Sequence, residues 1–208
     1  MVGLKDQCFG VEVEMTGITR EEAAQTLAEY FGTQSCYYGG AYDAWTVIDP
    51  EGKEWKLMSD ASIRGERRTR SGYARTEDRN YKVEMVTPKL TYDELPKFQE
   101  CVRRVRKAGA KVNNSCGIHV HVDAANHNRQ SLKNLIGIMY SKEDILFKAL
   151  QVNEERAEHW CKKVREPMLR EARTLSSDET RISPSWRISG MRAATAIQNT
   201  TTGRATMP

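Results

Sequence analysis

The 208-residue sequence predicts an α+β fold built on a largely antiparallel sheet. Three segments alternate apolar and polar residues with the period of two that is typical of strands. Each of them is followed in the chain by a segment with the apolar spacing of a helix. A turn-forming Asp49-Pro50-Glu51-Gly52 lies between two further short β-like runs and predicts a hairpin. Hairpins interspersed with helices are typical of α+β architecture.

The N-terminal half is predicted to begin with a strand over residues 8–15 and a helix after it. Thr19 and Glu22 form a capping-box pattern ahead of the apolar stripe Ala23, Ala24, Leu27 and Phe31. Residues 44–48 and 55–58 flank the predicted turn and form the two strands of the hairpin. Residues 64–80 are polar and rich in Arg and Gly, so we predict a loop there.

The chain after residue 80 is predicted to contain two more strands and three helices. Residues 81–86 form a strand that ends at Thr87-Pro88, and a helix with its apolar stripe follows and stops before Gly109. Residues 117–123 form the third alternating strand, and helices are predicted near 131–150 and 154–174. Beyond residue 175 the chain is rich in Ser, Thr and Arg. We therefore predict one domain over residues 1–175 and a loop or disordered tail over residues 176–208.

Composition narrows the class of protein. The formal net charge of +4 comes from 32 basic and 28 acidic residues, which disfavours a dedicated nucleic-acid-binding protein. The sequence has no leader-like segment at its start and no run of about 18 apolar residues, so we predict a cytoplasmic protein without a membrane span. The five cysteines are odd in number and form no CxxC pair, so we predict reduced thiols.

Two carboxylates share one face of the first strand. Side chains alternate across a strand, so Glu12 and Glu14 lie on one face while Val11 and Val13 lie on the other. Like charges side by side repel unless a cation compensates them, and a metal site is one reason to place them so. The alternative is a strand whose Glu residues simply face solvent.

The third strand carries a second polar stripe. His119, His121 and Asp123 share one face, and Val120 and Val122 are expected to pack behind them. The alternative is a polar sheet face on which histidines make ordinary hydrogen bonds. Glu84 adds a carboxylate in the second alternating strand. If the three strands share a concave face these groups converge, and a carboxylate-rich set favours Mg²⁺ or Mn²⁺ over Zn²⁺.

Four motifs occur in an order that resembles the amidoligase family, which is related to glutamine synthetases and glutamate–cysteine ligases. They are Gly10-Val11-Glu12-Val13-Glu14, Ser59-Asp60-Ala61-Ser62, Glu84-Met85-Val86-Thr87-Pro88 and Cys116-Gly117-Ile118-His119-Val120-His121-Val122-Asp123. The resemblance covers about residues 8–165. It implies a curved, largely antiparallel sheet of the glutamine-synthetase type with helices on its convex face.

The resemblance also implies a function, which is an ATP- and Mg²⁺-dependent ligase that joins a carboxylate to an amine through an acyl phosphate, with Mn²⁺ as an alternative cation. The implied metal ligands are Glu12, Glu14, Glu84 and His119, and the implied catalytic residues are Glu84 and Asp60. Substrate or phosphate contacts are expected from Asn114, Arg64 and His121.

The expected partners are an amine and a carboxylate substrate, either of them an amino acid, a peptide or a protein side chain. Homo-oligomers are common among glutamine synthetase relatives and are compatible with this function. The family resemblance also leads us to expect a C-terminal strand with a Glu-x-Arg pattern, yet no Glu follows Glu179. A truncated, divergent or inactive chain is therefore one expectation.

Two other functions stay open at the level of sequence. His119, His121 and a carboxylate are compatible with a Zn²⁺- or Mn²⁺-dependent hydrolase that activates water. The Arg-rich segment 64–79 is compatible with a non-catalytic protein that binds nucleic acid. The cluster Arg64, Arg67, Arg68 and Arg70 is equally a candidate for contact with phosphate or with an acidic substrate.

Overall fold

A computed structural model describes residues 3–125, 127–152, 154–159 and 161–174, which fall into two compact units, Met1–Asp123 and Ala124–Pro208. The first unit contains nine described strands, β1 (Cys8–Met15), β2 (Ser35–Gly39), β3 (Ala44–Ile48), β4 (Glu54–Met58), β5 (Glu66–Thr69), β6 (Gly72–Arg75), β7 (Val83–Val86), β8 (Leu90–Thr91) and β9 (Ile118–Val122). Its described α-helices are α1 (Arg20–Phe31) and α2 (Leu95–Ala108).

The main sheet has seven strands, and every described pairing in it is antiparallel. Its order is β2, β3, β4, β7, β1, with β8 also pairing β1. Strand β9 pairs the opposite edge of β1. The α+β class and the mostly antiparallel sheet that the sequence predicts are therefore confirmed.

Helices α1 and α2 build the core on one face of this sheet. Alternation in β1 and β7 directs Val11, Val13, Val83 and Met85 into it, where they pack with Leu27 and other apolar side chains. The other face is thereby left to the polar residues at the intervening positions, which include Glu12, Glu14 and Glu84. The fold thus separates an apolar face from an acidic one.

Several predicted elements are confirmed. Helix α1 starts at a capping box in which Thr19 Oγ1 accepts from the Glu22 N–H, and it ends at Gly32, whose φ is 68°. The β3–β4 hairpin forms around the predicted turn. Helix α2 stops before Gly109 as expected. The five cysteines form no disulfide in the structure, and their redox state stays a prediction.

The predicted loop over residues 64–80 is wrong in its central part, because β5 and β6 form a two-stranded hairpin there. Its residues are polar or exposed on both faces, so no apolar alternation marks it as β-structure. The short strands β2 and β8 were likewise not predicted.

The expected packing behind the third strand is also wrong. Ile118, Val120 and Val122 of β9 are 66%, 59% and 49% exposed. The core that α1 and α2 build takes side chains from β1, β3, β4, β7 and β8, and none of its described residues lies in β9. The burial that usually accompanies an apolar stripe therefore does not occur on this strand.

The second unit contains the described helices α3 (Arg129–Ala149), α4 (Glu154–His159) and α5 (Glu166–Thr174). A single helix over residues 154–174 is therefore wrong. Pro167 lacks an amide N–H and fits only the first turn of a helix, which is where it lies in α5. None of the described helices has the length and apolar content that a bilayer span requires. The predicted tail, residues 176–208, lies outside the described residues, and so does the region where a Glu-x-Arg strand was expected.

Candidate metal centre

Strand register brings the predicted acidic and imidazole groups to one place. On β1, Glu12 is directly opposite His119 of β9, and Glu14 is directly opposite Glu84 of β7. Both pairs lie on the face of the sheet opposite Val11 and Val13. The central strand therefore lies between potential ligands on the neighbouring strand at each side.

Both histidines contact the carboxylate of Glu12. His119 Nδ1 lies 3.1 Å from Glu12 Oε2, and His121 Nε2 lies 3.1 Å from Glu12 Oε1. The second nitrogen of His119 is 3.7 Å from Glu14 Oε1. Glu14 is buried, and its Oε2 accepts the N–H of Gly117 at 2.6 Å. The backbone at the start of β9 thus helps to fix a carboxylate of β1.

The arrangement contains two groups of ligand atoms that could hold a cation. One ligand atom from each of Glu12, Glu84 and His119 lies within 4.8 Å of the others, and the same is true of Glu14, Asp60 and Glu84. Glu84 belongs to both groups. These five residues are called the acidic cluster below.

Burial and neighbouring charges shift the pKa values of several residues of the acidic cluster. Burial, together with the negative charges of Glu12, Asp60 and Glu14, raises the pKa of Glu84 to about 7. The hydrogen bond between Glu12 and His119 lowers the pKa of the carboxyl and raises that of the imidazole. No ion pair with Lys or Arg is described for Glu12, Asp60 or Glu84. The described partners therefore leave an excess of negative charge.

The residues present fit a hard divalent cation. Four carboxylates and one imidazole make up the acidic cluster, and oxygen-rich sets of this kind suit Mg²⁺ and Mn²⁺. No cysteine takes part in either group. A cation would favour the ionised form of Glu84, whose pKa is raised by burial and by the neighbouring carboxylates. The donor set is thus compatible with a metal centre.

Of the remaining predicted site residues, some lie at the acidic cluster and others have no described contact with it. Asp60 joins the acidic cluster, and its Oδ1 accepts the N–H of Ser62 at 2.7 Å. His121 joins through Glu12. Arg64 and Asn114 are exposed, and no side-chain hydrogen bond to the acidic cluster is described for either of them. Their role as substrate contacts stays a prediction.

A buried arginine, which sequence reasoning missed, supports the site. Arg20 is 1% exposed and donates to Asp43 O at 2.9 Å, to Arg79 O at 2.5 Å and to Asn80 Oδ1 at 3.1 Å. Arg79 in turn donates to Ser59 Oγ at 3.0 Å, next to Asp60 in the chain. An Arg at the start of an amphipathic helix gives no sequence signal for this role, because the carbonyls it binds lie far away in the chain.

A cleft of about 600 Å³ lies in the second unit and is lined by α3 and α5, with Gly137, Ile138, Leu169 and Ala172 among its residues. None of its lining residues is His, Cys, Asp or Glu. The cleft therefore lacks the groups that the acidic cluster supplies, and we place the candidate chemistry on the sheet.

Cation affinity is expected to rise with pH. A metal ion binds the ionised carboxylate of Glu84 and the neutral imidazole of His119, so both must lose a proton, and both pKa values are raised. Below about pH 7, Mn²⁺ affinity should fall at least about tenfold per pH unit, since one proton or more is displaced. Calorimetric Mn²⁺ titrations between about pH 5.5 and 8.5, a range that extends to both sides of the pKa of Glu84, test this prediction. A flat profile would contradict it.

A centre lined by carboxylates and imidazole on an antiparallel sheet makes this a protein with a candidate divalent-cation site. Comparison with known protein families identifies the family. The chain belongs to the family described as "putative amidoligase enzyme", which matches residues 5–199. This membership indicates a ligase-type enzyme. Neither a curated protein nor a solved structure gives a significant match.

Proposed function

We propose that this protein is an ATP- and Mg²⁺-dependent carboxylate–amine ligase. Membership of the amidoligase family supports a ligase, and the position of Glu84 in two potential ligand groups supports a cation-dependent one. The shared Glu84 is the single observation that carries the proposal, because a carboxyl surrounded by three others suits a cation far better than it suits an ordinary sheet face.

In the proposed reaction the γ-phosphoryl group of ATP passes to the substrate carboxylate, which gives an acyl phosphate and ADP. The amine then attacks the acyl carbon, an amide bond forms, and inorganic phosphate leaves with the bonding electrons. Bound Mg²⁺ would neutralise charge on the phosphates during the first step. We propose a glutamine-synthetase-like fold as the framework that holds these groups.

The chain's own residues have distinct roles in this proposal. Glu12, Glu14, Glu84 and His119 hold the cation, and the contact with His121 orients the Glu12 carboxylate. Asp60 and Glu84 are assigned as the catalytic residues: Asp60 takes the proton that the amine loses as the amide forms, and Glu84 keeps the cation beside the reacting groups. Asn114 and Arg64 are exposed, and they lie close in sequence to His119 and Asp60 respectively. We assign both to contacts with substrate or phosphate.

Calorimetry on the 208-residue chain is the decisive experiment. We expect ATP to bind when Mg²⁺ is present and not when EDTA replaces it. ADP formation should then depend on an added amine and carboxylate. Turnover of an amide or ester without nucleotide would instead indicate a metal-dependent hydrolase. Absence of ATP binding in the presence of Mg²⁺ would contradict the proposal for this chain.

A further inference from the structure

The hairpin formed by β5 and β6 carries positive charge and is called the basic hairpin, or the arm, below. Arg67, Arg68 and Arg70 are exposed, and none of them forms an ion pair with a described carboxylate. Arg75 pairs with Glu77 at 3.3 Å, also on the surface. The arm thus presents guanidinium groups whose hydrogen-bonding capacity is not used by the described part of the chain.

The root of the basic hairpin is fixed beside the acidic cluster. The Glu66 N–H donates to Thr16 Oγ1 at 2.7 Å, and Gly17 N donates to Glu66 O at 2.9 Å. The carboxylate of Glu66 accepts from Lys111 Nζ at 2.6 Å and from Asn113 Nδ2 at 2.8 Å. Thr16 is two residues beyond Glu14 in the chain, so the arm extends from the end of the strand that carries two cluster ligands.

Close packing holds the arm in place. Gly17 has a φ of 82°, and a Cβ there would lie 2.8 Å from the carbonyl oxygen of Gly109 and 2.9 Å from Tyr73 Cε1. Tyr73 donates its hydroxyl to the same carbonyl at 3.2 Å, and Lys111 Nζ lies 4.4 Å from the centre of its ring. A glycine is needed where three segments meet this closely. The arginines are therefore carried on an anchored support.

The chemistry of the arm favours carboxylates over nucleic acid. Guanidinium groups bind carboxylates and phosphates alike through two parallel hydrogen bonds, so the aromatic residues of the hairpin decide between them. Single-stranded nucleic acid also needs aromatic rings on which bases stack. Tyr73 is the aromatic residue of the hairpin, and its ring and hydroxyl are already engaged with Lys111 and Gly109.

We propose that the basic hairpin docks a carboxylate-rich peptide segment of the substrate beside the acidic cluster. This inference rests on the proposed function and gives it a substrate class, an acidic peptide or protein. The acidic cluster by itself would repel such a substrate, and the positive charge of the arm offsets this repulsion. Arg67 lies opposite Ala74, on the face of the hairpin away from Tyr73, so its guanidinium is not enclosed by the anchoring contacts.

The test is fluorescence anisotropy with a labelled peptide of about ten glutamates, a length that spans the hairpin when extended. Measurements are made on the full chain without metal or nucleotide. The double substitution Arg67→Gln with Arg70→Gln should weaken binding about 5- to 30-fold, and raised salt should weaken wild-type binding as well. A matched control, Arg106→Gln with Lys107→Gln, removes the same charge from the exposed end of α2 and should change affinity by less than about twofold.

Three results would overturn the inference. They are no binding of the glutamate peptide by the wild type, equal binding by the two double variants, and tighter binding of single-stranded DNA of similar length. The last would indicate a nucleic-acid surface. Because the peptide assay contains no ATP or Mg²⁺, its failure is separate from failure of ATP·Mg²⁺ calorimetry, which tests the ligase itself.

Discussion

Glu12→Gln is expected to abolish Mg²⁺-dependent ATP binding while the fold survives. The amide keeps the size of the side chain and removes the negative charge that His119 and His121 both contact. Substitution of partners behind metal ligands already reduces metal affinity about 10–100-fold, so loss of a ligand itself should cost more than about 100-fold. Mn²⁺ calorimetry and ATP hydrolysis measure the effect. His119→Ala should have the same result.

Two control variants separate this effect from general loss of charge or imidazole. Glu54→Gln changes an exposed strand carboxylate paired with Lys56, and His127→Ala removes a histidine of the second unit that contacts Ser131. Both should bind Mn²⁺ as the wild type does. Wild-type nucleotide affinity and turnover in both Glu12→Gln and His119→Ala would disprove the assignment of the metal centre.

Glu84→Gln is expected to stabilise the metal-free protein at pH 8 and to remove its cation binding. The pKa of Glu84 is about 7 in the folded protein against 4.5 ordinarily, so the folded state holds this proton more tightly than the unfolded state does. The contribution of Glu84 to the free energy of unfolding is therefore fully favourable below about pH 4.5 and is lost as pH rises through 7. An amide does not ionise, so it avoids this loss. For a half-buried group the gain should be about 1–2 kcal/mol after solvent screening.

Urea unfolding of wild type and Glu84→Gln at about pH 5 and about pH 8 measures this difference. The Glu84 carboxyl is mostly protonated at the lower pH and mostly ionised at the higher pH. At pH 5 the two proteins should be nearly equally stable. Glu54→Gln serves again as the control for loss of one strand carboxylate. A Glu84→Gln variant that is less stable than wild type at pH 8 would mean that the carboxylate is stabilised by the fold without a cation.

The acidic face of the sheet was predictable from sequence because strand alternation is a local property. It places Glu12 and Glu14 together whatever the rest of the chain does. Which strand lies beside which is not local, and only the family resemblance linked β1 with β7 and β9. The resemblance is confirmed by family membership over residues 5–199.

The errors have the same origin. Nothing in the local pattern of Val120 and Val122 shows that α1 and α2 leave β9 uncovered. The basic hairpin escaped prediction because its strands lack an apolar face, and its anchors, Thr16 and Lys111, are distant in the chain. Substrate contacts by Arg64 and Asn114 depend on a ligand and stay predictions.

The pairing of β1 with β9 has a consequence for the order of events during folding. Glu12 and His119 are 107 residues apart, so the acidic cluster cannot be complete until a very long loop has closed. Such non-local pairings form slowly compared with helices and hairpins. A slip of one residue in this pairing would turn His119 to the opposite face. We therefore expect the acidic cluster to assemble late in folding, after the local elements have formed.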